Sequence, residues 1–132
     1  MTNKDKKLCP CGLTNSYSNC CGTFINNLRQ ALTPEELMRS RYTAYTMANI
    51  PYIKRTMRPP AANNFDATAA RKWAKQVTWL KLEVIGTYQE GLTGFVKFKA
   101  HYLQKNKKCV LHEISEFHYN HGQWFYVDGK LL

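Results

Sequence analysis

Four of the five cysteines in this 132-residue chain fall between positions 9 and 21, as Cys9-Pro10-Cys11-Gly12 and Cys20-Cys21-Gly22. No other stretch limits the fold so strongly, because thiols this dense have three fates: disulfides, a metal site or redox chemistry. Structural disulfides belong to oxidising compartments. No apolar export segment is visible ahead of the cluster, where Lys4, Lys6 and Lys7 lead to a lone Leu8. A chain of this length also builds a core without covalent staples. A cytoplasmic protein is therefore expected, and there clustered cysteines bind metal or exchange electrons.

Zinc takes four soft donors at about 2.3 Å in a tetrahedron. The two cysteine pairs can supply them from either side of a short loop, with Thr14, Asn15, Ser16 and Asn19 as its turn residues. Gly12 and Gly22 each permit a left-handed bend or leave a backbone amide free to approach a thiolate. The spacing is not the common CxxC pattern. Four thiolates leave zinc no open position, so the expected metal is structural rather than catalytic.

Composition adds a globular domain to this small module. With 44% hydrophobic and 13% aromatic residues, the chain buries a real core. No run approaches the roughly eighteen apolar residues of a membrane span. The formal charge is +10, from 19 Lys and Arg against 9 Asp and Glu, and zinc with four thiolates would bring it to about +8. That balance attracts polyanions. The basic residues are nevertheless scattered, from Lys4, Lys6 and Lys7 through Arg39, Arg41, Arg55 and Arg58 to Lys107 and Lys108, which describes a solvated surface better than a nucleic-acid groove. Nucleic-acid or ribosome association remains a weaker alternative.

Thr23 to Leu32 reads as a linker or short amphipathic segment anchored by Phe24, Ile25 and Leu28. Thr33, Pro34 and Glu36 then form a helix start with a capping box. Leu37, Met38, Tyr42, Tyr45 and Met47 make its apolar stripe. Pro51 begins a second short helix with Tyr52, Ile53 and Met57, ended by Pro59-Pro60. A third helix is expected over Phe65 to Trp79, capped by Asn64 or Asp66. Beyond it the period falls to two: Leu80, Leu82 and Val84; Val96, Phe98, Ala100 and Tyr102; Cys109 to Tyr119; and Trp124 to Val127. Turns are expected at Glu90-Gly91, Lys105-Asn106-Lys107 and Asn120-His121-Gly122. Helices followed by a strand meander make an α+β chain, with a curved antiparallel sheet covered on one face by helices.

The string CPCGLTNSYSNCCG resembles the SEC-C motif, a zinc-binding module known from the tail of the SecA translocation ATPase, where it docks on a protein partner. The resemblance implies zinc on Cys9, Cys11, Cys20 and Cys21, with Tyr17 as the motif's aromatic. Family members commonly carry Gly-Ser-Gly-Lys-Lys before that tyrosine; here Leu13-Thr14-Asn15-Ser16 stands instead, without lysines. The helix-then-meander order is similar to the cone fold of the nuclear-transport-factor and ketosteroid-isomerase superfamily. Over nearly its whole length the chain resembles the YchJ family of bacteria, through the cysteine motif, Glu36-Leu37-Met38-Arg39-Ser40-Arg41-Tyr42 with Tyr45, Trp79-Leu80 with Leu82, Glu113-Ile114-Ser115-Glu116-Phe117, and Gly122-Gln123-Trp124-Phe125-Tyr126-Val127-Asp128-Gly129. It departs at Met57-Arg58-Pro59, where that family usually has a histidine before the proline. Longer members carry a second SEC-C motif, beyond the position where this sequence stops at Leu132, so a role needing two modules is not expected. The implied division is a module at residues 1–25 and a cone at 26–132.

Cones of this kind hold a pocket between helices and sheet. On the third strand Cys109, Leu111, Glu113, Ser115, Phe117 and Tyr119 share one side. If that side faces the cone, Glu113 sits where burial raises its pKa and suits it to acid or base work. The candidate pocket is Arg41, Tyr45, Glu113, Ser115, Phe117 and Tyr126, and an Arg41–Glu113 ion pair is an equally open, purely structural outcome. No catalytic residue is assigned. The expected role is small-ligand binding or protein interaction, with the module as docking element and homodimerisation allowed; an enzyme using Glu113 is the rival. His112 and His118 lie about 20 Å apart along one strand and cannot share a metal. Cys109, beside Lys107 and Lys108, is either a reactive thiol or a small packing residue. Trp73, Trp79, Trp124 and Phe125 are expected in the core.

Overall fold

A computed structural model of the chain describes residues 7–132; Lys4 and Lys6 lie outside the described residues. A short 3₁₀ turn at Tyr17–Asn19 leads into α1 (Cys21–Ile25). The longer helix α2 (Pro34–Thr46) follows, then α3 (Ile50–Arg55), a 3₁₀ turn at Ala61–Asn64 and α4 (Ala67–Gln76). Four strands complete the chain, β1 (Thr78–Glu90), β2 (Thr93–Gln104), β3 (Lys107–Asn120) and β4 (Gln123–Leu131), paired antiparallel in sequence order.

The helix starts obey local chemistry. Thr33 Oγ1 accepts the Glu36 amide at 3.1 Å, and Pro34 occupies the first turn of α2. Glu36 Oε1 returns the bond to the Leu32 amide at 2.8 Å, one residue ahead of the usual capping-box partner. Asn49 caps α3 and Asp66 caps α4 through their side chains. The third helix ends sooner than its sequence suggested, at Gln76, because Thr78 already begins β1. Trp79 is a strand residue whose indole Nε1 donates to Ala74 O at 3.2 Å.

All three hairpins close with two-residue turns. Positive φ angles fall at Gly91, at Lys105 and Asn106, and at His121 and Gly122, the geometry that matches strand twist. Val96, Phe98 and Ala100 of β2 are buried in alternation, as the period-two pattern demands. β1 departs from its pattern. A register shift between Trp79 and Lys81 makes Leu80 an extra residue, 48% exposed, while Trp79 and Leu82 turn inward. Leu28 and Met47, expected as anchors, are also exposed: Leu28 lies past the end of α1, and Met47 is the C-cap of α2.

β4 is clamped on its outer side as well. Tyr126 N donates to Thr56 O, and Arg58 N donates to Tyr126 O, both at 2.9 Å. The segment after α3 thereby runs along β4 and helps close one side of the cone. The cysteines share a single hydrophobic cluster with Phe24, Ile25, Leu37, Met38 and Tyr42. Their loop is tied to the helices by two arginines. Arg39 Nη1 donates to Cys11 O at 2.6 Å, and Arg55 Nη2 donates to the carbonyls of Phe24 and Ile25 at 3.2 and 3.1 Å.

Candidate functional site

Two features carry chemistry, and α2 runs between them. The first is the cysteine cluster. The Cys9 amide donates to Asn15 O at 2.9 Å and the Tyr17 amide to Lys7 O at 3.1 Å, folding the loop back on itself. Gly12 adopts φ +97°, the left-handed bend expected of it. Gly22 does something different: it lies inside α1, and a Cβ there would stand 2.7 Å from Tyr17 O and 2.9 Å from the Tyr17 ring. The aromatic-then-CCG pattern is thus a packing unit, with the edge carbons of the tyrosine ring close against a residue that lacks a side chain.

The four sulfurs lie within 4.8 Å of one another, and all four residues are buried. Donors at about 2.3 Å from a central ion would stand about 3.8 Å apart in a tetrahedron, and Cys11 and Cys20 Sγ are 3.6 Å apart. All five cysteines are free thiols. The donor set fits a closed, all-sulfur metal site. Left to themselves, thiols this close hold their protons unequally. Hydrogen bonds from Cys11 and Cys21 draw Cys9 far below the usual thiol range, burial pushes Cys20 up to about 12, and hydrogen bonding to Cys11 and Cys9 holds Cys21 far higher. A bound cation removes that conflict by letting all four ionise together. The cluster could hold a metal ion, and among the described residues no other group of three or more such ligands gathers.

A residue that sequence reasoning passed over supports this site. Thr43, fully buried on α2, places Oγ1 3.6 Å from Cys9 Sγ. Its small size and mid-helix position, five residues after the Met38 of the apolar stripe, gave no signal. Hydroxyl donors to metal-bound sulfur tune affinity, commonly by 10- to 100-fold. Thr43→Val, which keeps the shape and removes the hydroxyl, is expected to weaken metal retention about tenfold in competition with a chromogenic chelator. Equal retention would remove Thr43 from the site.

The second feature is a cavity of about 590 Å³ between the helices and the concave sheet face. It gathers all six candidate pocket residues, Arg41, Tyr45, Glu113, Ser115, Phe117 and Tyr126. Period two along β3 does point Leu111, Glu113, Ser115 and Phe117 into it. Trp73 and Trp79, read from sequence as core, instead form a half-buried aromatic wall with ring centroids 5.1 Å apart. Phe65, Asp66 and Asp128 border the same space and were not singled out.

Of the two outcomes left open for Arg41 and Glu113, the ion pair is not formed among the described residues. Arg41 Nη1 donates to Ile53 O at 2.9 Å and Thr56 Oγ1 at 2.7 Å, and the guanidinium lies 4.6 Å from the centre of the Tyr126 ring. Glu113 Oε2 accepts from Ser115 Oγ at 2.8 Å. Burial raises the Glu113 pKa above the usual carboxylate value, against the opposing influence of Ser115 and Arg41. A carboxyl whose folded pKa lies above its unfolded one favours folding when protonated, at pH below the unfolded value, and loses that contribution as pH rises through the folded value. Glu113→Gln is therefore expected to raise the melting temperature at pH 7 and to lose this advantage near pH 4. A gain that persists at low pH would contradict burial as the cause.

The remaining candidates fall elsewhere. His118 bonds Glu116 at 2.7 Å on one strand, and His101 bonds Glu83 at 2.8 Å across two. His112 is half-buried with Nε2 unpartnered. Cys109 is half-buried, its Sγ 3.6 Å from Lys107 O.

With this geometry in place the relatives can be compared. The model of the YchJ middle, NTF2-like domain matches residues 33–129, which takes in α2 through most of β4. The chain belongs to the YchJ family. A UPF0225 protein of Geobacter sulfurreducens is 42% identical to this YchJ chain over 125 residues, covering 92% of the chain and 78% of the relative. The solution structure of a SEC-C motif containing protein from Rhodopseudomonas palustris superposes with a TM-score of 0.88 at 34% identity, covering 96% of this chain and 99% of that one. A SEC-C motif containing protein from Psychrobacter arcticus gives 0.84 at 26% identity, covering 99% and 86%. Among the described residues of this YchJ protein no helix is long and apolar enough to cross a membrane.

Proposed function

We propose that the protein is a zinc-stabilised cone that binds a small organic ligand between its helices and the concave face of its sheet. The cavity carries this reading: about 590 Å³ lined by an aromatic wall and several polar side chains, the combination by which small-molecule sites are recognised. Zinc suits the cluster because an all-thiolate, closed tetrahedron is its usual structural site. The ion would hold the loop against α2 and take no part in the chemistry of the cavity.

Uptake of a neutral fluorophore, N-phenyl-1-naphthylamine, tests the cavity. Binding is expected in the native protein and is expected to be lost in Ala70→Trp, which fills the space from α4. Absence of binding, or equal binding by the filled variant, would remove the reading. One observation favours a second role: burial holds Glu113 nearer neutrality than a free carboxylate, as acid–base catalysis requires. Once a ligand is known, loss of turnover with retained binding in Glu113→Gln would make the cone an enzyme.

A further inference from the structure

The cavity is lined by more hydrogen-bond donors than the protein uses. Arg41 is 7% exposed, and its guanidinium is always charged. Only Nη1 is bonded, to Ile53 O and Thr56 Oγ1. Among the described residues Nε and Nη2 have no hydrogen-bond partner, and Arg41 forms no ion pair. Neither nitrogen is a fully enclosed unpartnered atom, and Arg41 lines the cavity. Buried charges are ordinarily paired; this one is half-paired and faces a cavity.

Its neighbours have the same character. Tyr45 and Tyr126 line the cavity, and among the described residues neither hydroxyl has a hydrogen-bond partner. Burial raises both phenols above their ordinary value, which keeps them protonated and able to donate. Beyond them lies an apolar wall of Trp73, Trp79 and Phe65, the two indoles set edge to face with their planes at 90°.

We infer that the cavity takes an organic carboxylate with an apolar, aromatic body, held by the free edge of Arg41 and the hydroxyls of Tyr45 and Tyr126. The inference rests on reading the cavity as a ligand site and adds the ligand's chemical class. A guanidinium edge matches a carboxylate in geometry as well as charge. An amine would meet Glu113, Asp66 and Asp128 instead, but it would bring a second cation beside an unpaired buried one. The two aspartates are exposed, each with an oxygen already accepting a backbone amide, from Ala69 and Gly129.

The test displaces bound N-phenyl-1-naphthylamine with three ligands of one shape: 2-naphthoate, 2-naphthamide and 2-naphthylmethylamine. Naphthoate is expected to compete at least tenfold better than the other two, and Arg41→Met is expected to abolish that preference. Because Arg41 also braces α3, Tyr45→Phe and Tyr126→Phe serve as milder variants. Each is expected to weaken naphthoate about tenfold and leave the amide unchanged. If the fluorophore binds but naphthoate is no better than the amide, or the amine is preferred, the carboxylate inference is overturned while the cavity stands as a site. If the native protein takes up no fluorophore, the site itself is refuted, and the carboxylate with it.

Discussion

Cys11→Ser is expected to reduce bound metal from about one ion per chain to almost none, and to lower the melting temperature by about 10–15 °C. Two effects add. Cys11 is fully buried in the cluster that also contains Leu37, Met38 and Tyr42, and three remaining thiols hold a tetrahedral ion poorly. A structural ion binds the folded chain alone, so its affinity is folding free energy. A loss of about 3 kcal/mol is a modest fraction of that and accounts for the shift at this chain length. Elemental mass spectrometry and a thermal melt check both halves. Chelation of the native protein should reproduce the thermal change. Unchanged melting with metal absent would make the ion incidental.

Gly94→Ala is expected to cost about 2–3 kcal/mol, or about 10 °C, although it adds only one methyl group. Gly94 is buried on β2 opposite Phe117, and a Cβ there would overlap Pro34 Cγ and approach Trp124 Cζ3 at 3.4 Å. Pro34 is the first residue of α2 and rigid, so the strain cannot be relieved by a rotamer. The first turn of α2 must lift from the sheet. Urea unfolding measures the loss directly; a midpoint within experimental error of native would show that the helix start yields easily.

Much of this architecture was legible because the signals were local. Thr33, Pro34 and Glu36 sit within one turn, and Gly91, Asn106 and Gly122 mark hairpins whatever surrounds them. The clustering of the four cysteines was legible for the same reason. What escaped depended on tertiary partners. One inserted residue at Leu80 reversed the facing of the start of β1, and periodicity has no means of announcing a bulge. Arg41 lines the cavity, but its hydrogen-bond partners could not be read, since the carbonyl of Ile53 and the hydroxyl of Thr56 come from the following helix and its cap. Trp73 and Trp79 read as core because a cavity wall and a core have the same composition; only the space between them tells them apart.

Helix α2 faces both ways. Arg39 and Thr43 reach the cysteine loop, while Met38, Arg41, Tyr42 and Tyr45 form the roof of the cavity. Were the cluster to hold an ion, protein prepared in the presence of a strong chelator would be a different container for the proposed ligand from protein that kept it, even though no ligand atom would touch a sulfur. Purification history would then become part of every affinity measured on this cone, and a screen run on stripped protein would be searching the wrong container.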